Sequence, residues 1–295
     1  MMELRHIRYL LAVADHGNFT RAAESLHISQ PTLSQQIKQL EQVLGVVLLD
    51  RSGRAVRLTD AGAVYARHAR LALRDLEAGE RAVHDVQDLS RGQLRVAMTP
   101  TFTAYFIGPL VHRFRSAHPG IAVTVRETTQ DRIEADLLAD RLDLGIAFAG
   151  AHAAGIEATD LFDETLSLVV GPDHILAAAT GPLPVGQLTR EPLGLLSSDF
   201  ATRGHIDDYF AACGVRPHIA VEANSISALL EFVRRGSPAT VLPDAITHAH
   251  NDLHPVPLTP PMPRRTVCLL RRGSAYHSAA ARAFTATVHE IVREL

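Results

Sequence analysis

FTRAAESLHISQPTLSQQIKQLEQVLGVVLLDRSGRAVRLTDAG, residues 19–62, is the stretch that decides how the chain begins. Ala22, Ala23 and Leu26 share one face of a short helix, with Thr20 placed to cap it. His27-Ile28-Ser29 makes a turn. Ser29 then caps a second helix with Pro31 in its first turn, where a missing N–H costs nothing. Leu33, Ile37, Leu40 and Leu44 give that helix a buried side. Upstream, Leu4, Ile7, Leu10, Leu11 and Ala14 fall at helical spacing, and Gly17-Asn18 ends that helix. Small Ala22-Ala23 lets two helices approach closely, and Leu26, Ile28, Leu33 and Ile37 fill the wedge between them. A helix-turn-helix needs this packing to lay a short second helix in a major groove.

Gln30, Thr32, Ser34, Gln35 and Lys38 are the exposed positions of the recognition helix. A glutamine amide can pair with an adenine edge through two hydrogen bonds, hydroxyls suit phosphate or base edges, and lysine suits phosphate. Leu48–Arg51 and Val56–Leu58 are extended pieces around the turn Ser52-Gly53-Arg54, a β-hairpin wing carrying Arg51, Arg54 and Arg57. Arg54, at its tip, is placed for a minor groove or a phosphate. A plain helical bundle with a polar face would share the helical pattern. The arginine-bearing wing and the helix that follows it favour DNA.

That following helix spans 59–89, with Thr59 as its cap and no proline from 59 to 99. Tyr65, Ala69, Ala72, Leu76, Gly79, Val83 and Val86 repeat at 4-3 spacing, a narrow coiled-coil seam that needs a partner, so a dimer is expected. At 295 residues the chain holds two or three modules, and 46% apolar content is ample for their cores. The net charge of -3 excludes a globally basic nucleic-acid binder. Residues 1–57 nevertheless carry seven Lys/Arg against five Asp/Glu, while 93–295 carry seventeen against twenty-one, which permits a DNA-binding arm. Two cysteines, Cys213 and Cys268, allow no metal framework and fit a reducing compartment. The apolar run Leu10–Ala14 is too short for a signal peptide and no run spans a membrane, so a cytoplasmic protein without a membrane partner is expected.

From residue 93 strand and helix patterns alternate. Leu94–Met98, Ile121–Val125, Leu142–Phe148, Leu166–Val170, Leu193–Ser197, Ile219–Glu222, Ala239–Leu242 and Val267–Leu270 read as strands, with helices near 106–116, 131–141, 203–213, 225–235 and 278–294. This argues for α/β architecture with mainly parallel sheets in two lobes, the late strand and last helix returning to the first lobe. The expected division is 1–58 as winged helix-turn-helix, 59–92 as linker and dimerisation helix, and 93–295 as effector domain. Lobe I would hold about 93–163 and 266–295, and lobe II about 164–265. The fold class is thus α plus α/β: winged helix-turn-helix, long linker helix and two-lobed α/β effector domain.

A ligand of such lobes binds outside the carboxyl ends of the strands. The candidates are Thr99, Pro100, Thr101 and Phe102 after the first strand, Thr128, Thr129 and Gln130 after the second, and Phe148 closing the third. Ser197, Ser198, Phe200 and Thr202 follow in the other lobe, just before Arg203. Hydroxyls and helix N-terminal N–H groups suit a small anion, although serine and threonine are common in ordinary caps and turns.

The AAE-L-H-SQP-LS-QI-LE-LG-L-R-LT-AG series within 19–62 resembles the LysR-type transcriptional regulators. The resemblance runs the whole chain and implies a linker helix followed by a two-lobed effector domain of periplasmic-binding-protein type. It implies Ser29, Gln30, Pro31, Thr32, Ser34, Gln35 and Lys38 at double-stranded DNA, with Arg51 and Arg54 on the wing; Thr20, at the start of the preceding helix, is a further DNA-contact candidate. Gln35 stands where many members carry a basic residue. Also implied are a homotetramer built from dimers, contact with RNA polymerase, and a small-molecule effector with no cofactor. TPTFTAYFIGPL, LDLGIAF, LSSDFATR and EANSISALLEFVRR look like the cyanate-operon regulators within that family. That likeness implies cyanate or an azide-like anion as effector, activation of a cyanate-degradation operon and repression of the chain's own gene. A LysR-type regulator sensing another small organic or aromatic acid is the alternative, and a two-lobed solute-binding or enzymatic protein is an alternative of another class.

No GxGxxG, Walker A, GxSxG or HExxH motif is present, so an enzyme is not expected. His248 and His250 alone are weak evidence for a metal.

Overall fold

Three short helices come first: α1 (Leu4–His16), α2 (Phe19–Ser25) and α3 (Gln30–Leu44). Leu10, Val13, Ala22, Ala23, Leu33, Ile37 and Leu40 turn inward from all three onto one core, closed below by Leu48 and Leu49. The computed structural model describes residues 3–53, 55–85, 92–179, 181–236, 238–250, 252–273 and 275–294. The cap of α2 is Asn18, where the sequence suggested Thr20: its Oδ1 accepts from the backbone N–H groups of Thr20 at 2.8 Å and Arg21 at 3.1 Å. The helix starts at Phe19, so Thr20 already lies in its first turn, and the one side chain that can satisfy two orphan donors precedes it. Ser29 caps α3, its Oγ accepting from Thr32 N–H at 3.3 Å, and Gly45 closes that helix with φ of +68°.

The wing consists of β1 (Leu49–Asp50) and β2 (Arg57–Leu58), antiparallel with Leu49 opposite Leu58. Helix α4 (Asp60–Asp85) follows, with Thr59 Oγ1 accepting from Gly62 N–H at 3.0 Å. Glycine is required at 62 because a Cβ there would stand 2.0 Å from the Leu48 carbonyl oxygen. The first turns of α4 pack on α1 through Ile7, Leu11, Ala66 and Ala69. The predicted seam is therefore partly consumed within the chain, since Ala69 is covered by α1. Among the described residues of this helix, Val64, Leu71 and Leu76 are exposed large apolar side chains. Arg54 and Val86, singled out from the sequence, lie outside the described residues.

The chain divides into two units, Met1–Arg81 and Ala82–Leu295. In the second, β3 (Gly92–Met98), α5 (Pro100–Tyr105), α6 (Ile107–Ala117), β4 (Ile121–Glu127), α7 (Gln130–Leu138), β5 (Leu144–Phe148) and β6 (Ile156–Glu164) build lobe I. Lobe II contains β7 (Leu166–Val170), β8 (Leu183–Pro184), β9 (Pro192–Leu196), α8 (Ala201–Ala212), β10 (His218–Ala223), α9 (Ile226–Arg234), β11 (Thr240–Pro243), α10 (Asp244–Ala249), β12 (His254–Val256) and β13 (Leu258–Thr259). The chain then returns to lobe I as β14 (Arg265–Arg272) and α11 (Ala279–Val292).

The sheets are mixed rather than mainly parallel. Lobe I has the order β4-β3-β5-β14-β6, with β3 parallel to β4 and β5 but β14 antiparallel to both its neighbours. In lobe II β9 and β10 run parallel, while β7 pairs antiparallel with β11 and β12. The returning segment enters from the opposite end of the lobe, so its direction is reversed. Strand β5 is buried along its whole length, which explains its unbroken apolar run. Strand β6 went unread because it is a charged, mostly exposed edge strand with no apolar alternation. Leu94, Val96, Phe102, Phe106, Ile146 and Phe284 centre the lobe I core; Leu168, Leu193, Ile206, Phe210 and Val241 centre that of lobe II. Among the described residues no helix is long and apolar enough to cross a membrane.

Candidate nucleic-acid interface and effector cleft

The outer side of α3 is polar because its apolar residues are spent on the core. Gln30, Pro31, Thr32, Gln35 and Lys38 are exposed, Ser34 is half-buried, and Ser29 and Thr20 stand exposed at the adjoining helix starts. The Ser29 and Thr32 hydroxyls lie 2.7 Å apart, so each is partly engaged by the other. His6, buried on α1, bonds Gln36 Oε1 through Nε2 at 2.7 Å and so ties α3 to the first helix.

Glu41 joins the recognition helix to the wing. Its Oε1 accepts from Leu48 N–H at 2.9 Å and Leu49 N–H at 3.2 Å, and its Oε2 accepts from Arg51 at 3.0 Å. The Arg51 guanidinium also lies 5.1 Å from the centre of the Phe19 ring. Arg51 is thus held in place from two sides rather than swinging freely.

Between the lobes of the second unit lies a cavity of about 470 Å³. Gln130, Asp131, Phe148 and the loop Ala149–Ala151 line it from lobe I. Ser198, Asp199, Phe200 and the α8 residues Ala201, Gly204, His205 and Asp208 face it from lobe II, with Arg265 between. Gln130 spends both amide ends on Phe148, donating to its carbonyl and accepting from its N–H at 3.2 Å each. Buried Glu134 accepts from Ala153 N–H at 2.8 Å and meets His152 Nδ1 at 2.8 Å, pinning the loop beside the cavity.

Arg265 and Glu164 stand at the two points where the chain crosses between lobes. Arg265 Nε donates to Glu164 Oε2 at 2.7 Å, one Nη donates to Thr202 Oγ1 at 2.9 Å, and the guanidinium lies 3.8 Å from the Phe148 ring centre. The other Nη approaches Glu164 Oε2 at 2.5 Å, an ionic contact off the axis of a hydrogen bond, and has no aligned acceptor. Tyr105 Oη donates to Glu164 Oε1 at 2.6 Å. Burial pulls the Arg265 pKa down and pushes the Tyr105 hydroxyl up, the latter aided by the Glu164 charge. His205 Nε2 donates to the Pro263 carbonyl at 2.9 Å, and burial holds its imidazole below the ordinary value.

Of the residues read from strand ends, Phe148, Ser198 and Phe200 line the cavity, and Thr202 sits directly behind Arg265. Thr99, Pro100 and Thr101 are buried, the two threonine hydroxyls without hydrogen-bond partners, as is the Ser197 hydroxyl. Phe102 is fully buried in the lobe I core, its ring 5.1 Å from Phe148. The stretch read as a turn is already helix α5 from Pro100, which rotates Phe102 inward. Thr128 and Thr129 are half-buried before α7 and do not line the cavity. Arg203 points away: it donates to Leu196 O at 2.9 Å, Asp207 at 2.9 Å and Glu222 at 3.0 Å, so it does not neutralise Asp199.

Gln130, read at the end of the second strand, lines the cavity, whereas sequence reading missed Asp131, His205, Asp208 and Arg265. The residues at 201, 204, 205 and 208 fall on one helical face, a signal that was available. Arg265 carried none, because its partner is 101 residues away. The described residues contain no group of His, Cys, Asp and Glu able to hold a metal.

A winged helix-turn-helix with a polar recognition face, joined to a two-lobed α/β unit with a cavity at the lobe junction, defines a ligand-responsive DNA-binding regulator. The chain belongs to the LysR family: residues 4–63 match the model for bacterial regulatory helix-turn-helix proteins of that family, and residues 87–293 match the LysR substrate binding domain. It is 31% identical over 281 residues to the DNA-binding transcriptional dual regulator OxyR of Escherichia coli K12, covering 94% of this chain and 92% of that protein. Full-length OxyR C199D from Pseudomonas aeruginosa superposes with a TM-score of 0.71 at 26% identity, covering 98% of this chain and 95% of that one. Full-length CbnR complexed with its target DNA gives 0.66 at 25% identity, covering 98% and 99%. The family is one of transcriptional regulators, which removes the enzyme and solute-carrier alternatives.

Proposed function

We infer that this LysR-family regulator reads a partly palindromic operator as a dimer or as a tetramer built from two dimers, and that a small organic molecule in the inter-lobe cavity sets its activity. The carrying observation is that polar cavity at the lobe junction, with Arg265 and Glu164 at its two chain crossings. A ligand that prefers one lobe spacing shifts the population toward it, by no more than its differential affinity. Gln30, Thr32, Ser34, Gln35 and Lys38 serve base edges and phosphates on α3, with Ser29, Pro31, Thr20 and Arg51 beside them and RNA polymerase as the downstream partner. Exposed Val64, Leu71 and Leu76 support self-association through α4.

Cyanate as effector, with operon activation and repression of the chain's own gene, loses support on charge: Asp131, Asp199 and Asp208 face the cavity. Hydrogen peroxide, which names several relatives, also lacks support here. Cys268 is fully buried, donates to Asp160 at 3.2 Å and has its thiol pKa pushed up to about 12, which leaves almost no thiolate for oxidation at neutral pH. Cys213 packs against the lobe II core, and neither cysteine lines the cavity. A regulator of another pathway is the reading left.

Fluorescence anisotropy against the chain's own upstream DNA tests the first half of this reading. Selective binding that weakens with salt is expected, and Lys38→Ala should lower the salt slope by about 1. Equal affinity for unrelated duplexes would sink it.

A further inference from the structure

Gln36 lies on the flank of α3, half-buried between the exposed residues Thr32, Gln35 and Lys38 and the buried stripe of Leu33, Ile37 and Leu40. Its amide is held in one orientation from α1. There His6, 1% exposed, accepts the backbone N–H of Glu3 at its Nδ1, 3.3 Å away. A backbone N–H only donates, so Nδ1 is the bare nitrogen and the ring proton sits on Nε2. That proton needs an acceptor. At 2.7 Å it meets the amide oxygen of Gln36, because the amide NH2 group has no lone pair to offer. The bonds therefore run in one direction, from Glu3 N–H through the imidazole to Gln36 Oε1. The Gln36 nitrogen is left turned away from His6. Among the described residues nothing accepts from it, and it is not a buried atom, so it stands open to solvent with its N–H donors.

An amide fixed in this way calls for an oxygen from outside the chain. A helix with its side chains is roughly 10–12 Å across and the major groove about 12 Å wide. The outermost residues of a helix in that groove meet base edges, and its flanks meet the sugar–phosphate walls. Phosphate oxygens are the acceptors on those walls, and glutamine is among the residues that bind them. A free glutamine side chain loses rotamer freedom when it is ordered. His6 orders this one before DNA arrives, so binding does not bear that loss.

We propose that Gln36 is a DNA-contact residue that donates to a backbone phosphate, and that His6 is the positioning residue that aims it. Both roles rest on the reading of α3 as the recognition helix. They add to it an uncharged contact made from the helix flank, which fixes how the helix sits between the groove walls.

Fluorescence anisotropy on the full-length protein, with its own upstream DNA and an unrelated duplex of equal length, tests both roles. Gln36→Ala should weaken both duplexes alike by about tenfold, the weight of one hydrogen bond to a charged group, because a phosphate carries no sequence. Gln36→Lys should steepen the slope of log K against log salt by about 0.9, the mark of one more phosphate neutralised. His6→Leu should lose the same factor as Gln36→Ala, and His6→Gln, which keeps an N–H donor near the Nε2 position, should restore it. In a Gln36→Ala background His6→Leu should cost nothing further. All titrations are run well below the melting temperature of each variant, and Gln36→Lys judges the contact even where His6→Leu melts early. A loss confined to the upstream DNA would make Gln36 a base reader and overturn the phosphate contact. An unchanged salt slope in Gln36→Lys would overturn it as well. An equal cost of His6→Leu in both backgrounds would reduce His6 to packing and overturn its positioning role. If the wild-type protein binds neither duplex, the recognition-helix reading falls and takes both roles with it; if it binds and the variants change nothing, only these two roles fall.

Discussion

Arg265→Met tests how the two lobes are fastened. The side chain it replaces is 8% exposed, bonded to Glu164 and Thr202 and stacked on Phe148. Methionine preserves much of the volume but strands the Glu164 carboxylate, itself 4% exposed, with only the Tyr105 hydroxyl to hold it. Breaking one side of a buried ion pair costs about 3–5 kcal/mol, most of it from the charge left behind. For a unit of this size each kcal/mol is worth about 2–4 °C, so the effector-domain transition should fall by roughly 6–20 °C. The double variant Glu164→Met with Arg265→Met removes both charges and should recover most of that loss. Scanning calorimetry on the full chain resolves this transition from that of the DNA-binding unit. A fall under about 2 °C in the single variant, or a double variant no more stable than the single, would refute the clasp.

Gly62→Ala should unseat the wing, because its Cβ would fall 2.0 Å from the Leu48 carbonyl oxygen; a loss of about 1–3 kcal/mol in the DNA-binding unit is expected by thermal melting. Glu41→Ala should free Leu48 N–H, Leu49 N–H and Arg51 together, and anisotropy should report weaker operator binding even where the melting temperature drops by only a few degrees. Burial lowers the pKa of both His205 and His277, so around pH 6.5 the folded protein binds fewer protons than the unfolded chain. Stability is therefore complete above about pH 6.5 and lost as pH falls below it; His205→Gln should flatten that decline in urea titrations between pH 7 and 5. Leu71→Lys, placed on the exposed face of α4, should shift the particle mass in light scattering toward the monomer, and an unchanged mass would remove that face from the assembly.

Residues 19–62 carried the DNA-binding arm in full view because most of what shapes it is local. Side-chain caps such as Ser29 and Thr59 act within three residues, the apolar stripe of α3 repeats within one helix, and the wing closes over a few positions. The same locality exposed the strand ends of β5 and β9, hence Phe148, Ser198 and Phe200 at the cavity. Local logic failed where a side chain answers to something distant. Phe102 turned inward because α5 begins at Pro100, and Ala69 was claimed by α1 before any partner could take it. The direction of β14, the clasp between Glu164 and Arg265, and the commitment of Arg203 to Asp207 and Glu222 all arise when the chain returns on itself. The lining of the cleft belongs to this second group. Serines and threonines near strand ends suggested an anion, but charge adds by distance in space rather than along the sequence. Only the folded lobes bring Asp131, Asp199 and Asp208 to one cavity and pair Arg265, which lines it, with Glu164.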